Sequence, residues 1–294
     1  MVEVYSDLTV GSGGLASSWP HLLASLPCVA LLGLWLSSMH RAKRSDLRPH
    51  KNLSLPDEVR AVSAAAACSL GLSFAFLLSL LAIQGLTHPQ GVQSLTEALP
   101  DLGSSIKLAF FGSLCTLPFA SFTGKLLSQS GSILVWMAAL APACIPPALV
   151  GTAVAQASVW IGLEGMGQPV IAQVLRFLPF ASIISALWWV RANREVEELS
   201  LVLLPPAKRF FISTLPSAAP QLLILLMAVF TLCLGELGAT LLVIPPGEST
   251  LTLRLYNFLH YGSAPDSAML TLLLLSCAFL PLSIALAARR FKRA

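Results

Sequence analysis

The stretch that decides the fold is Arg191–Ala219, RANREVEELSLVLLPPAKRFFISTLPSAA. It carries Arg191, Arg194, Lys208 and Arg209 and lies between two apolar runs, Pro169–Val190 and Pro220–Ile244. Each run has the roughly 20 residues a helix needs to cross a bilayer. A base-rich loop between two spans belongs on the cytoplasmic side. The loop is too apolar and too patterned for a simple tether. Glu195, Glu197 and Glu198 open it, and Leu199, Leu201–Leu204, Phe210, Phe211, Ile212 and Leu215 supply apolar positions. Pro205-Pro206 interrupts it, since proline cannot continue a helix but suits the first turn of the next. The pattern predicts a helix, a turn, a short helix and then Pro216 before the following span. A short amphipathic element projecting from a membrane protein docks in a partner's groove; the bland alternative is an interfacial helix lying on the headgroups.

Composition points the same way. Of 294 residues, 55% are hydrophobic and only 11% charged, less than half the roughly 25% charged of a soluble domain. The mean hydropathy is +0.77. A globule cannot bury that much apolar surface, because its own surface must be covered with polar groups. A soluble enzyme, a nucleic-acid binder and a disordered chain are excluded. Seven stretches are long enough to cross: Trp19–Met39, Ala61–Gly85, Ser104–Leu127, Ser132–Ala155, Pro169–Val190, Pro220–Ile244 and Ser267–Ala288. The expected fold is thus an all-α integral membrane bundle of about seven transmembrane helices. Pro142, Pro146 and Pro147 predict a kink in the fourth, and Ser158–Gln168 is expected to be a loop or a shallow re-entrant piece.

The basic residues set the orientation. Arg41, Lys43, Arg44, Arg48, Lys51, Arg60, Lys125, the four of the loop, and Arg289, Arg290, Lys292 and Arg293 make 15 of the 18, all on one side of the membrane if the chain crosses seven times. The N-terminal segment and Leu86–Gly103 carry Glu3, Asp7, Glu97 and Asp101 and no base. The N-terminus is therefore expected outside and the C-terminus inside. The basic cluster follows the first apolar run instead of preceding it, which is not the order of a signal peptide. The six cysteines are dispersed through apolar runs, so neither a metal knuckle nor a disulfide framework is expected.

No catalytic or metal-binding motif stands out, and no cofactor is expected. Gly124-Lys125 has the last Gly-Lys of a phosphate loop, but Phe119 holds the first Gly position and Leu126 the Ser/Thr position. The chain is not expected to be an enzyme or to have an ATPase site of its own. The five histidines fall in loops or at span ends and read as solvated.

The inner loop resembles the signature of inner-membrane permease subunits of binding-protein-dependent ABC importers: Glu-Ala-Ala, three residues, Gly, nine residues, Ile-x-Leu-Pro. With Pro216 on the last position, Leu215 falls on the Leu and Glu197 on the Glu. Glu198 and Leu199 replace the alanines, Leu203 the glycine and Ser213 the isoleucine. Pro205-Pro206 takes over the turn that the glycine would make. The run Gly235–Gly262, GELGATLLVIPPGESTLTLRLYNFLHYG, is similar to the corresponding segment of type I permeases, most of all the ferric-iron kind. LAPACIPPALVG, Leu140–Gly151, and FLPFA, Phe177–Ala181, resemble the family's spans.

The resemblance covers roughly Leu102 to Ala288. It implies three parts: residues 1–101 with two leading spans, a permease core at 102–288 with its coupling loop at 191–219, and a basic cytoplasmic tail at 289–294. It also implies a multi-pass inner-membrane protein that forms the substrate pathway, for ferric iron by this likeness, with sulfate, molybdate, thiamine and polyamine importers left open. The expected partners are a cytoplasmic ATP-binding subunit, an extracytoplasmic solute-binding protein and a second permease copy or half, in surrounding membrane lipid and without nucleic acid. Glu197, Glu198, Leu203, Lys208, Arg209, Leu215 and Pro216 would contact the ATP-binding subunit. The competing reading is an ion-coupled secondary transporter, whose inverted repeats are not detectable here.

Two charges lie deep in spans. Arg176 is seven residues from the outer start of one run and Glu236 eight from the outer end of the next, about 10–12 Å below the boundary. A charge at the bilayer centre costs at least about 2.5–3.5 kcal/mol, so such groups pair or line a wet path. Their matched depth predicts a gate or pathway pair, with a purely structural ion pair as the alternative. Gly235 and Gly238 flank Glu236 and are expected to let another helix approach closely. Lys107, near the outer end of the third span, is expected to snorkel. Ser249 or Thr250 is expected to cap a short outer helix through Tyr261, with Leu251, Leu255, Phe258 and Leu259 on one face.

Overall fold

The computed structural model describes residues 57–130, 132–191, 199–200, 202–203 and 205–291. The expected span Trp19–Met39, the loop bases Arg41–Lys51, the loop acids Glu195, Glu197 and Glu198, and Lys292–Ala294 lie outside the described residues. The described residues are all helical or connecting segments. In chain order they form α1 (Asp57–Leu86), α2 (Pro89–Glu97), α3 (Leu99–Gln129), α4 (Ile133–Leu140), α5 (Pro147–Ile161), α6 (Gly167–Arg191), α7 (Pro206–Arg209), α8 (Leu215–Leu234), α9 (Thr240–Val243), α10 (Leu251–Tyr261) and α11 (Ala264–Phe291).

Among these, three helices are long and apolar enough to cross a membrane: Leu99–Gln129, Gly167–Val190 and Ile212–Leu234. The number rises to five if each of two bent pairs counts as one span. The sequence predicts seven, of which the first lies outside the described residues, and the later ones depart locally from the expected runs. The expected fourth span turns by 89° between Ile133–Cys144 and Pro147–Ile161. Pro146 and Pro147 remove two backbone donors in succession, so the helix stops at a 3-10 turn and restarts in a new direction. The expected sixth span ends as a helix at Leu234, and only the four residues of α9 resume it. The apolar part of α11 in the described residues is Ala264–Phe279.

Two connections also differ from expectation. Leu86–Gly103 contains α2, which starts on Pro89 and lies at 90° to the end of α1. Of the expected loop Ser158–Gln168, residues to Ile161 extend α5. Gly162 and Gly165 then make the turn at φ 65° and 73°, the left-handed region that glycine enters without penalty.

Helices α3 and α6 are the central pair and run parallel. A Cβ on Gly112 would meet Gln173 Oε1 at 2.2 Å, and one on Gly124 would meet the Ser185 side chain at 2.5 Å. The Thr123 and Ser182 hydroxyls bond across the same seam, and Lys125 stands 4.7 Å over the Trp189 ring at its C-terminal end. Small residues thus bring the two backbones together, the usual route to tight packing in lipid. Helix α8 closes the core with Leu225, Val229, Cys233 and Leu234 against Ala109, Ala120, Phe177 and Ala181. Helix α11 then packs on α8, where the Thr231 hydroxyl donates to the Ala278 carbonyl at 2.9 Å. Helix α1 runs antiparallel on α11, with Gly85 against Met269 and Phe74 against Phe279. The outward sides carry exposed Phe76, Phe119, Phe122, Leu134 and Trp160, an apolar surface suited to lipid and too large for water.

Candidate functional site

Arg176 and Glu236 meet where two helices break. On α6, Arg176 Nη1 donates to the Ile145 carbonyl at 3.0 Å. Ile145 is the residue at which the 3-10 turn ends before α5, so its carbonyl has no helical partner. Arg176 Nε stands 3.8 Å from Glu236 Oε2, an ion pair beyond hydrogen-bond distance. Glu236 lies in the connection between α8 and α9, where Oε1 accepts the Ala239 N–H at 2.7 Å. The two side chains are 19% and 8% exposed. The depth argument from helix periodicity therefore reaches the right pair, although Glu236 is not on a helix.

The two breaks are stacked. A Cβ on Gly238 would lie 2.7 Å from Pro147 Cβ, and one on Gly151 would lie 2.8 Å from the Ala239 carbonyl oxygen. Gly238 is thus the glycine that allows the close approach. Gly235 is not: it is exposed, and a Cβ there meets nothing nearer than 3.8 Å. Gly235 follows the last residue of α8 at φ -86°, a backbone that any residue adopts.

Neighbouring polar groups complete the junction. Gln173, one turn before Arg176, donates from Nε2 to the Cys233 carbonyl at 3.1 Å, near the end of α8. The Thr252 hydroxyl donates to the Glu236 carbonyl at 3.2 Å. Gln173 Oε1, Arg176 Nε and the Thr240 hydroxyl are buried without a hydrogen-bond partner. The i, i+3 spacing of Gln173 and Arg176 in an apolar run was a sequence signal for this face.

Beyond α9, α10 is capped by Thr250, whose hydroxyl accepts the Leu253 N–H at 3.3 Å. Leu251 is fully buried, and Leu255 and Phe258 pack beside it, but Leu259 is exposed and leaves the expected face. Arg254 clasps α2 and α3: its guanidinium reaches Glu97 Oε2 at 3.1 Å and Asp101 Oδ2 at 2.9 Å. Sequence reasoning passed over it, although it is the lone base among acidic outer segments. Asp266, at the start of α11, accepts hydroxyl bonds from Ser94 of α2 and from Ser263. Burial pushes its carboxyl up, but these hydrogen bonds outweigh it and hold the group below the usual carboxylate range.

In the segment before α8, Leu199, Val202 and Leu203 are exposed, as are Lys208 and Pro216, while Arg209 and Leu215 are half-buried. Lys208 and Arg209 end α7, and a π-helical turn, Phe210–Thr214, joins it to α8. Lys107 is exposed near the start of α3. Among the described residues, no group of three or more His, Cys, Asp or Glu side chains could hold a metal ion.

No protein-family model matches the chain. The chain is 28% identical over 206 residues to the 2-aminoethylphosphonate transport system permease protein PhnV of Salmonella typhimurium, covering 67% of this chain and 77% of that one. It is 28% identical over 143 residues to the putrescine transport system permease protein PotI of Escherichia coli K12, covering 46% and 51%. A solved bacterial alginate ABC transporter, in complex with an alginate-bound periplasmic protein, superposes with a TM-score of 0.54 at 16% identity over 79% of this chain and 95% of that chain.

A helical bundle with long apolar helices, an apolar outer surface and a charged junction in its interior is that of a membrane protein. These likenesses are to inner-membrane permease subunits of ABC importers, which the chain resembles in sequence, and to an ABC transporter, which it resembles in fold. The ferric-iron subtype expected from sequence is corrected: the relatives are named for 2-aminoethylphosphonate and putrescine. The resemblance in Gly235–Gly262 follows the break and the helix α10 after it. The ion-coupled alternative is not favoured.

Proposed function

We infer that this chain is the permease subunit of an importer for a small charged organic solute. It crosses the inner membrane seven times, N-terminus outside and C-terminus inside, and has no ATPase site of its own. The inner segment of residues 191–219 docks on a cytoplasmic ATP-binding subunit through Leu203, Lys208, Arg209, Leu215, Pro216, Glu197 and Glu198. A solute-binding protein delivers from outside, and a second permease copy or half completes the pathway. Arg176 and Glu236, with Gly235 and Gly238 shaping the break, stand at the pathway.

The observation that carries this reading is the exposure of the apolar Leu199, Val202 and Leu203 and of the basic Lys208 in the segment that leads into α8. A mixed apolar and basic segment of this kind is what a groove on a soluble partner takes up. The relatives' named substrates, an aminophosphonate and a diamine, support a charged, amine-bearing solute. The test is purification of the full chain in mild detergent from its own membrane. A stoichiometric ATP-binding subunit is expected in the preparation; its absence, with the chain intact and folded, refutes the reading.

A further inference from the structure

We propose that the Arg176–Glu236 junction recognises a zwitterion, a small solute with an oxyanion (phosphonate or carboxylate) and an ammonium group. The proposal rests on the permease reading. Each member of the pair is held by one atom and leaves another unbonded. Arg176 is tied through Nη1 to the Ile145 carbonyl, while its Nε has no acceptor. Glu236 is tied through Oε1 to the Ala239 N–H, while Oε2 is 3.8 Å from Nε and takes no hydrogen bond. A charge-assisted pair free to close settles at about 2.7–2.9 Å. The anchors lie on two different helix breaks, and they hold the charges apart with their remaining bonding capacity unused.

Charge balance selects the ligand class. When empty, the junction is neutral. A zwitterion exchanges the internal pair for two new pairs, its oxyanion on the guanidinium and its ammonium on the carboxylate, and the junction stays neutral. A lone anion strands Glu236, and a lone cation strands Arg176, each as an uncompensated charge in a poorly hydrated interior. The planar guanidinium fork matches an oxyanion in a way an ammonium does not. The unpartnered Thr240 hydroxyl, next to Ala239, adds a neutral polar atom at the same break.

The test is ligand-dependent thermal stability of the full chain purified in detergent with its co-purifying subunits. The probes are 2-aminoethylphosphonate and β-alanine as zwitterions, ethylphosphonate as anion and putrescine as dication. Saturable stabilisation by the zwitterions is expected, with the single-sign probes at least roughly tenfold weaker. Arg176→Lys keeps the charge and the fold but loses the fork, and is expected to weaken the zwitterion response by about tenfold; Glu236→Gln is expected to weaken it similarly. Equal responses to single-sign probes, no response to either zwitterion, or an unchanged response in folded Arg176→Lys overturns the proposal. Recovery of the ATP-binding subunit without a zwitterion response sinks the ligand assignment alone; loss of that subunit sinks the permease reading beneath it.

Discussion

Replacing Arg176 and Glu236 singly and together separates a coupled pair from two independent groups. Arg176→Met leaves the Glu236 carboxylate, 8% exposed, with its Ala239 bond but no counter-charge, and strips the Ile145 carbonyl of its donor. Breaking a buried pair from one side costs about 3–5 kcal/mol. Because Arg176 is 19% exposed and Glu236 keeps one hydrogen bond, about 3 kcal/mol is the expected loss. Glu236→Gln preserves an acceptor for the Ala239 N–H and leaves a partly exposed guanidinium still bonded to Ile145, so about 1–2 kcal/mol is expected. The double variant strands no charge. What remains is chiefly the orphaned Ile145 carbonyl, about 1–3 kcal/mol, so the double variant is expected to recover about 2 kcal/mol of the summed single losses. The assay is unfolding of purified protein in mixed micelles by rising sodium dodecyl sulfate, followed by tryptophan fluorescence. Losses that add to within about 0.5 kcal/mol would show that the 3.8 Å approach carries no energy and that the junction is not a pair.

Three further outcomes are expected. Gly124→Ala places a Cβ 2.5 Å from the Ser185 side chain and 2.9 Å from the Ala186 backbone nitrogen, so it forces α3 and α6 apart and costs about 1–3 kcal/mol. Gly103→Ala, which meets nothing within 4 Å, gains up to about 1 kcal/mol from helix propensity; thermal melts of both check the pair. Lys208→Glu with Arg209→Glu is expected to remove the ATP-binding subunit from the detergent preparation while leaving membrane insertion intact, read by pull-down and membrane fractionation. Asp266 has a folded pKa below its unfolded value of about 3.9. Its contribution is therefore complete above about pH 4 and is lost only as pH falls through the lower folded value. Asp266→Asn is accordingly expected to lower the melting temperature at pH 7 and to matter progressively less as the pH falls below the ordinary carboxylate range.

Helix positions were legible in the sequence because lipid demands long apolar runs, and α3, α6 and α8 stand where those runs predict. The breaks were less legible, for a physical reason: a hydropathy window sees composition, and a broken helix in a buried junction has the composition of an unbroken one. Pro146-Pro147 announced a bend but not its 89°, since proline removes hydrogen bonds without dictating what the chain packs on next. Gly-Glu-Leu-Gly at residues 235–238 looked like a packing face of a continuous helix. Gly235 instead follows a helix end, and the close contact is at Gly238. Helix α2 was missed because it is short and mixed in character, although Pro89 at its first turn was a start signal. Arg254 was missed because a count of bases by side treats it as an exception, when its position opposite Glu97 and Asp101 explains it.

The charges and the breaks account for each other. In a bilayer a freed backbone group costs several kcal/mol, so irregular backbone persists only where protein groups satisfy it. At this junction four backbone groups meet polar side chains: Arg176 donates to the Ile145 carbonyl, Gln173 to the Cys233 carbonyl and Thr252 to the Glu236 carbonyl, while Glu236 accepts the Ala239 N–H. Further out, the Ser105 hydroxyl accepts the Leu251 N–H at 2.7 Å, where α10 begins. The polar residues that look anomalous in these apolar runs are therefore the ones the broken backbone requires. The breaks in turn supply the neutral and charged partners that make an arginine and a glutamate tolerable at this depth. A continuous helix in place of either break would leave a charge without its backbone anchor. An apolar residue in place of either charge would leave a break without its partner. The site and the irregular fold consequently stand or fall together, which is why the charged pair and the two broken helices occupy one place in the bundle.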